Sequence, residues 1–446
     1  MKVQRDTPPG PKGRLGLQAL AYRRDPLAFL TRLSRNYGDI SHFRIGSQDF
    51  YLLNRPDYIN DVLVTNYRKF GKGLKLQRAK YLIGEGLLTS EGEHHRRQRN
   101  LMQPVFHRQR LAANAQVIVD CAEKFATGWR DGETHDILTE MRCLAFAIIA
   151  RTLFGSLVHE GDWDVSEELR SAVEGVTPHA DQSKWLSNFL HKLPGAKPIN
   201  FEEALARLDA VTYRLIKEGR QRITDEGDVL SALLQARDAS GGMSDKQLRD
   251  ELTTLIEAGH ITAANTITWS WYLLASHPEV EAKLHQELDA VLENRVPSFQ
   301  DVERLRYTHM VLLEVMRVYP PAWLLSRRVL DDFSIGGYKL PAGSLILMSP
   351  YVTQRDSRYF PEPDRFDPER WRPEVRQDRP PLSYFPFGVG SRRCIGEGMA
   401  ILEGVLLLAT FGRRWRLRLA TKRLPKPLPL FTLKPSRLRM RLERRD

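Results

Sequence analysis

Cysteine is scarce in this sequence of 446 residues: there are three, Cys121, Cys143 and Cys394, and no two lie close together. That excludes a disulfide framework and suits a reducing compartment. Long hydrophobic runs are missing too. The most apolar stretches, residues 252–275 and 396–411, are both broken by polar or acidic residues, so no transmembrane anchor is expected. Residues 1–13 are charged and proline-rich, with no apolar segment of the signal-peptide kind, which points to a soluble cytoplasmic protein. No Gly/Ser linker, low-complexity block or repeat divides the chain. Residues 155–164, 177–200 and 238–244 read as loops between helices, and one domain over residues 1–446 is expected. Acidic residues are in deficit, 55 against 67 Lys and Arg, for a net charge of +12. Without any nucleic-acid-binding motif, that sum fits attraction of an acidic protein partner and no nucleic acid.

The most informative residues present are Phe387-Gly388-Val389-Gly390-Ser391-Arg392-Arg393-Cys394-Ile395-Gly396. They put one cysteine after a glycine-rich turn and just before a long apolar run. A thiolate there sits at a helix start, where free amides and the helix dipole favour negative charge. An iron porphyrin ligated axially by cysteine is the cofactor that needs such a site, because the thiolate pushes electron density onto the iron. Cys121 and Cys143 fall in apolar helical patterns and read as buried small hydrophobes.

Periodicity gives a mainly helical chain with small sheets. Residues 27–37, 58–64, 93–106, 108–129, 137–154, 166–176, 201–224 and 229–236 read as helices, and 40–53 as a hairpin. Residues 245–275 form the longest helix, able to run through the middle of a large domain. Short strands with a Gly336-Gly337 turn are expected over 333–347. The long helix carries Ala258-Gly259-His260-Ile261-Thr262-Ala263 at its centre. The small residues there allow a flat ligand near the backbone, and Thr262 can bond its own helix carbonyl or an oxygen species beside it. A plain helix crossing is the alternative. Glu314 and Arg317 lie three apart on one helical face that stops at Tyr319-Pro320-Pro321. Their apolar neighbours imply burial, which demands further hydrogen bonds. Arg365 is the residue chosen to complete that network.

Four signatures follow in chain order: the helix around Gly259 and Thr262, the Glu314/Arg317 pair, the Pro363-Asp364-Arg365-Phe366 segment, and the cysteine loop. Over essentially the full length they resemble the cytochrome P450 superfamily of haem-thiolate monooxygenases, in particular its soluble bacterial members without a fused reductase. The resemblance implies a triangular helical haem domain with a long central helix. It implies haem b with Cys394 as the iron ligand, Phe387 beside the sulfur, Gly390 and Gly396 permitting the turn, and Glu314, Arg317 and Arg365 locking the core beneath. Arg392, Arg327, His95 and Arg99 match the family's propionate partners, with His95 where many members have tryptophan. Gly259 and Thr262 fall in the oxygen-side helix. One departure stands out: Ile261 replaces the usual acid before the threonine and cannot relay a proton.

By the same resemblance, the reaction inserts one atom of dioxygen into a C–H bond or double bond of a hydrophobic substrate. Two electrons come from NAD(P)H through a separate ferredoxin or flavodoxin-type donor and its reductase, and Arg96, Arg97, Arg110 and Arg393 are candidate docking charges. The protein is expected to be a monomer. Leu87, Leu88, Trp185 and Phe189 are candidate pocket residues, as are His260 and Ala263 on the long helix and Trp323 and Leu324 after the Pro-Pro turn. An isomerase or dehydratase on the same fold, or a non-catalytic haem sensor, is the competing class.

Overall fold

Ser244 opens the element around which the rest of the protein is arranged. Its hydroxyl accepts the Gln247 amide (3.2 Å), while the Gln247 side chain accepts the Ser244 amide (3.0 Å), a reciprocal cap that satisfies two donors. The helix it starts, Asp245–Ser276, is 32 residues long, about 48 Å at the usual rise. The computed structural model describes residues 7–11, 17–158, 168–174, 201–222, 227–422 and 424–445. Within these, the central helix packs with helices Ile137–Phe154 and Glu397–Gly412, and its Ala264, Ile267 and Trp271 share one buried apolar cluster with Ile148, Leu406 and, from Arg108–Ala126, Ala122. Gly259 serves this packing: a Cβ there would come within 3.0 Å of Ile149 on the helix Ile137–Phe154. Its small size lets the helix Ile137–Phe154 approach closely.

The helix Glu397–Gly412 is buried at every residue from Leu402 to Gly412. Such all-round burial makes it interior, and each leucine removed from water contributes about 1.5–3 kcal/mol. Two sheets flank the helices. One runs in the order Ile40–Ile45, Gln48–Leu53, Leu345–Met348, Leu325–Val329, Phe70–Lys72, antiparallel except where Leu345–Met348 lies parallel to Gln48–Leu53. The other pairs Trp415–Leu419 with Arg439–Arg444, and the latter with Thr134–Asp136. Leu417, Met440 and Leu442 are buried while Arg416, Arg439 and Arg441 are exposed. The strongly basic C-terminal stretch is therefore, in part, the wet face of a strand pair. That sheet was not anticipated, nor were helices Leu17–Arg24, Leu74–Ile83 and Pro278–Leu292. The helices expected at 137–154 and 245–275 occur with bounds equal or within one residue.

Beneath the cysteine loop lies a buried carboxylate. Glu314 and Arg317 are both fully enclosed on the helix Arg306–Val318. Glu314 accepts from Arg317 Nε and Nη2 (both 2.9 Å), Arg370 Nε (2.9 Å), Trp371 Nε1 (2.9 Å) and the Asp367 amide (3.0 Å). Arg317 also donates to the carbonyls of Gln354, Pro363 and Arg365. The partner chosen from sequence was wrong: the Arg365 side chain is exposed and pairs with Glu362, offering the network only its carbonyl. Arg370 takes the place because the short helix Pro368–Trp371 turns its guanidinium and the Trp371 indole inward together. Gln354 carries the order onward. Its amide donates to the Met316 and Arg317 carbonyls, and its oxygen accepts the Phe385 amide, two residues before the cysteine loop.

Removing the Glu314 carboxylate leaves two guanidiniums buried without a counter-charge. Glu314→Ala should lower unfolding free energy by about 3–5 kcal/mol in denaturant titration, whereas Arg365→Ala should change it by no more than about 0.5 kcal/mol.

Candidate functional site

The loop from Phe387 to Gly396 closes on itself through the Cys394 amide, which donates to the Phe387 carbonyl (2.8 Å). Two residues in it hold positive φ, Gly388 (66°) and Gly390 (68°), a region costly for other residues. A Cβ on Gly390 would lie 2.4 Å from the Leu63 carbonyl oxygen, so both conformation and space require glycine. Gly396, expected to share this role, sits at φ −89° as the N-cap of the following helix and needs no such freedom. The left-handed partner of Gly390 is Gly388. Burial pushes the Cys394 thiol up, opposed by the Gly396 amide and the charges of Arg99 and Arg393. Cys394 is surrounded by protein, yet its side chain is accessible. An accessible side chain in so crowded a setting fits the wall of an internal opening, and we read Cys394 in that way. Cys121 is buried beside Arg151 and Cys143 is half-buried.

A second group of side chains converges nearby. Arg99, from the helix Gly92–Met102, donates to the Arg393 carbonyl (2.7 Å) and so touches the cysteine loop itself. Arg392 donates to the Ser90 carbonyl (3.1 Å) and pairs with Glu91 (2.5 Å). His95 is buried, and desolvation together with Arg392, Lys72, Arg99 and Arg327 pushes it down to about 3. Arg327, on the strand Leu325–Val329, is lowered to about 10 by burial and by Arg392. Lys72, which sequence reasoning missed, belongs here. It ends the strand Phe70–Lys72, its Nζ donates to the carbonyls of Leu87 (3.0 Å) and Leu88 (2.6 Å), and burial with Arg392 drives it down to about 6. Its only sequence signal was the position of a lysine inside a short apolar strand. Glu91 is the acid bonded within this group, accepting from Arg392 and from the Lys72 amide. Five basic side chains, all partly or wholly out of water, with Glu91 bonded among them and Glu251 acting on Lys72 alone, call for a partner with several negative charges. A flat group with two carboxylates and a thiolate-accepting metal, as in haem b, fits this donor set and the cavity-facing thiol together.

The central helix shows the same combination of depth and access. Ile256 and Ala264 are buried, but Ala258 between them is exposed and Ile261, Thr262 and Ala263 are half-buried. Thr262 Oγ1 donates to the Ala258 carbonyl (2.7 Å) and lies 3.3 Å from that of Gly259. His260 does not line an opening. It is buried with Nδ1 2.6 Å from the Ile256 carbonyl and its ring edge-on to Phe146, and desolvation pushes it down to about 4. Trp323 is likewise core: 2% exposed, packed with Phe29, Phe43 and Leu433, its Nε1 bonded to the Leu430 carbonyl. Leu324 packs against that same cluster. In both cases apolar size in the sequence did not separate core from cavity. Leu87 is buried and Leu88 half-buried, in a cluster that includes Leu252 and Ile256 of the central helix. Trp185 and Phe189 lie outside the described residues. Among the described residues no helix is long and apolar enough to cross a membrane.

The comparisons agree with this geometry. A family model described as Cytochrome P450 matches residues 8–442. Cyclooctatin synthase of Streptomyces melanosporofaciens is 40% identical over 427 residues, covering 95% of this chain and 92% of that protein. Cyclooctat-9-en-7-ol 5-monooxygenase of the same organism is 36% identical, covering 92% and 89%. Pentalenene oxygenase of Streptomyces avermitilis is 36% identical, covering 95% and 94%. Among solved structures, a cytochrome P450DA haem domain superposes with a TM-score of 0.86 at 23% identity over 98% of both chains. The retinoic-acid-bound cyanobacterial CYP120A1 does so with a TM-score of 0.84 at 23% identity over 99% of both.

Because the folded state holds His260 neutral down to about pH 4, the unfolded chain takes up a proton below about 6.5 that the folded chain refuses. Stability from this group is therefore lost as pH falls through that window. The pH-slope of unfolding free energy between those limits should be shallower by about one proton in His260→Leu than in the unsubstituted protein, read from denaturation series at stepped pH.

Proposed function

The chain belongs to the cytochrome P450 family and is a haem-thiolate monooxygenase of hydrophobic substrates; from that premise we propose that it oxygenates a terpene-like alkene or alkenol, as a single-domain cytoplasmic monomer fed by an acidic ferredoxin or flavodoxin. The supporting observation for the chemistry is the closed loop presenting Cys394 to an internal opening beside an excess of buried cations. Support for the substrate class comes from relatives whose names denote an unsaturated hydrocarbon and an unsaturated alcohol, and from the apolar surroundings of Leu87 and Leu88.

Haem b, bound through the Cys394 thiolate, supplies dioxygen activation and oxygen transfer. The protein's contributions can be assigned residue by residue. The Gly396 amide, Arg99 and Arg393 favour the thiolate form of Cys394 against the cost of burial. His95, Arg99, Arg327, Arg392 and Lys72 would hold the two propionates, which supply the negative charge their own surroundings lack. Thr262 commits its proton to the Ala258 carbonyl and keeps lone pairs on Oγ1 with which to accept a hydrogen bond from water. Ile261 offers no proton, so protons must reach Thr262 Oγ1 through water. That makes the oxygen chemistry leakier, with more peroxide formed per electron pair.

The electron donor meets a surface whose charges are unequally available. Arg97 chelates Asp238 and the Gly241 carbonyl and is committed internally, whereas Arg393, paired with Glu397, stays exposed at the surface and remains a docking charge. Arg96 is 65% exposed even while paired with Glu93, and is the stronger docking charge.

The purified, reduced protein should give with carbon monoxide the red-shifted Soret band of a thiolate-ligated haem, and Cys394→Ala should lose it. Supplied with a surrogate reductase and a terpene alkene, it should place label from isotopic dioxygen in the product while consuming NADPH. Product lacking label, formed without NADPH, would favour an isomerase or dehydratase instead. Ile261→Glu should raise product per NADPH consumed; unchanged coupling would remove the role assigned to Ile261.

A further inference from the structure

The loop between residues 84 and 90 is bound to the central helix through its backbone, and two buried ionisable residues hold Leu87 by its main chain, one at the amide and one at the carbonyl. Glu251, fully buried on the central helix, accepts the Leu87 amide on Oε2 (2.8 Å). Lys72, 3% exposed at the end of its strand, donates to the Leu87 and Leu88 carbonyls. The preceding residue of the helix repeats the contact one step earlier, Asp250 Oδ2 accepting the Glu85 amide (2.9 Å). The approach is close enough to dictate composition. A Cβ on Gly84 would lie 2.1 Å from Asp250 Oδ1, and one on Gly86 would lie 2.3 Å from Thr254 Oγ1. Nothing in these contacts reads the Leu87 or Leu88 side chains. They fix where those side chains are carried.

A tether of this kind is costly to build for stability alone. Among the described residues Glu251 Oε1 is buried without a hydrogen-bond partner, and burial pushes the carboxyl up to about 8. Lys72 is driven the other way, down to about 6. Two apolar residues would fill the space more cheaply, so the pair is explained by the peptide it holds. We propose that Glu251 and Lys72 are positioning residues for substrate: by holding Leu87 at its amide from the central helix and at its carbonyl from the strand Phe70–Lys72, they set the wall against which a bulky apolar ligand packs. The inference rests on the haem-site reading above and adds to it a determinant of ligand size. It requires only a carbonyl-type acceptor at position 251, so glutamine serves in place of glutamate.

The test uses two iron-ligating probes on the haem-loaded protein, followed by optical titration. Imidazole is small and needs only the iron; clotrimazole is bulky and needs the wall. Glu251→Leu should weaken clotrimazole about tenfold, the effect of losing a buried hydrogen bond to an ionisable group, and leave imidazole within about twofold. Glu251→Gln should bind both as the unsubstituted protein does. In the unsubstituted protein the Leu87 amide should be the slowest to exchange hydrogen within residues 84–90. Clotrimazole binding unchanged in Glu251→Leu while imidazole binds normally would overturn the proposal. So would a Leu87 amide exchanging as fast as its loop neighbours, a measurement that holds even if Glu251→Leu fails to fold. Failure of imidazole to perturb the spectrum of the unsubstituted protein would instead strike the haem-site reading itself.

Discussion

The buried Glu314 carboxylate is the interaction on which the rest of the site depends. It accepts five hydrogen bonds from four residues, and its two guanidinium partners direct their remaining donors to main-chain carbonyls. A carboxylate this deep is tolerable only because every part of its charge is met. What the arrangement secures is geometry. Arg317 holds the Gln354 carbonyl, Gln354 holds the Phe385 amide, and the chain then enters the turn that presents Cys394. A loop with two left-handed glycines has little rigidity of its own. Its position is inherited from the network below it.

The opposite electrostatic condition prevails around Lys72, His95, Arg99, Arg327 and Arg392. There the cations outnumber the acid bonded among them, and burial lowers the protonation of each. A structural ion-pair network resembles the Glu314 cluster, balanced and bonded. A set of like charges held together without balance resembles a binding site, because the missing charge must come from elsewhere. The contrast between these two clusters distinguishes framework from cofactor cradle without reference to any relative. The Lys72 ammonium spans both roles, since it faces the cradle electrostatically and grips the Leu87–Leu88 peptide directly.

The central helix unites these parts. Its N-terminal half carries Asp250 and Glu251, which set the loop 84–90, and its middle carries Thr262. Its C-terminal half is core, with Trp269 stacked on Tyr319 at 3.7 Å between ring centroids. One rigid element thus spaces the loop 84–90, the Thr262 hydroxyl and the core around Trp269 relative to each other.

Much of this could be read before any fold was known, and the part that could has a common character. Glycines at fixed offsets from Cys394, a Glu-x-x-Arg pair before Pro-Pro, and a long uninterrupted helical period are local features, set by φ preferences and the 3.6-residue repeat. So the cysteine loop, the Glu314–Arg317 pair and the helix over 245–275 were legible. The misreadings were of residues whose roles depend on what comes near from far along the chain. Arg365 and Arg370 are alike in chemistry, and only the turn at Pro368–Trp371 decides which one faces Glu314. His260 and Trp323 could each have faced a ligand, but His260 lies edge-on to Phe146 and Trp323 sits in a buried apolar cluster. Lys72 and Glu251 stand 179 positions apart in the sequence and meet only across the Leu87 peptide. The amino-acid sequence by itself determined which chemistry this protein carries, because a thiolate loop is local. Which side chains surround that chemistry was decided by tertiary structure, because burial and charge balance belong to neighbours in space.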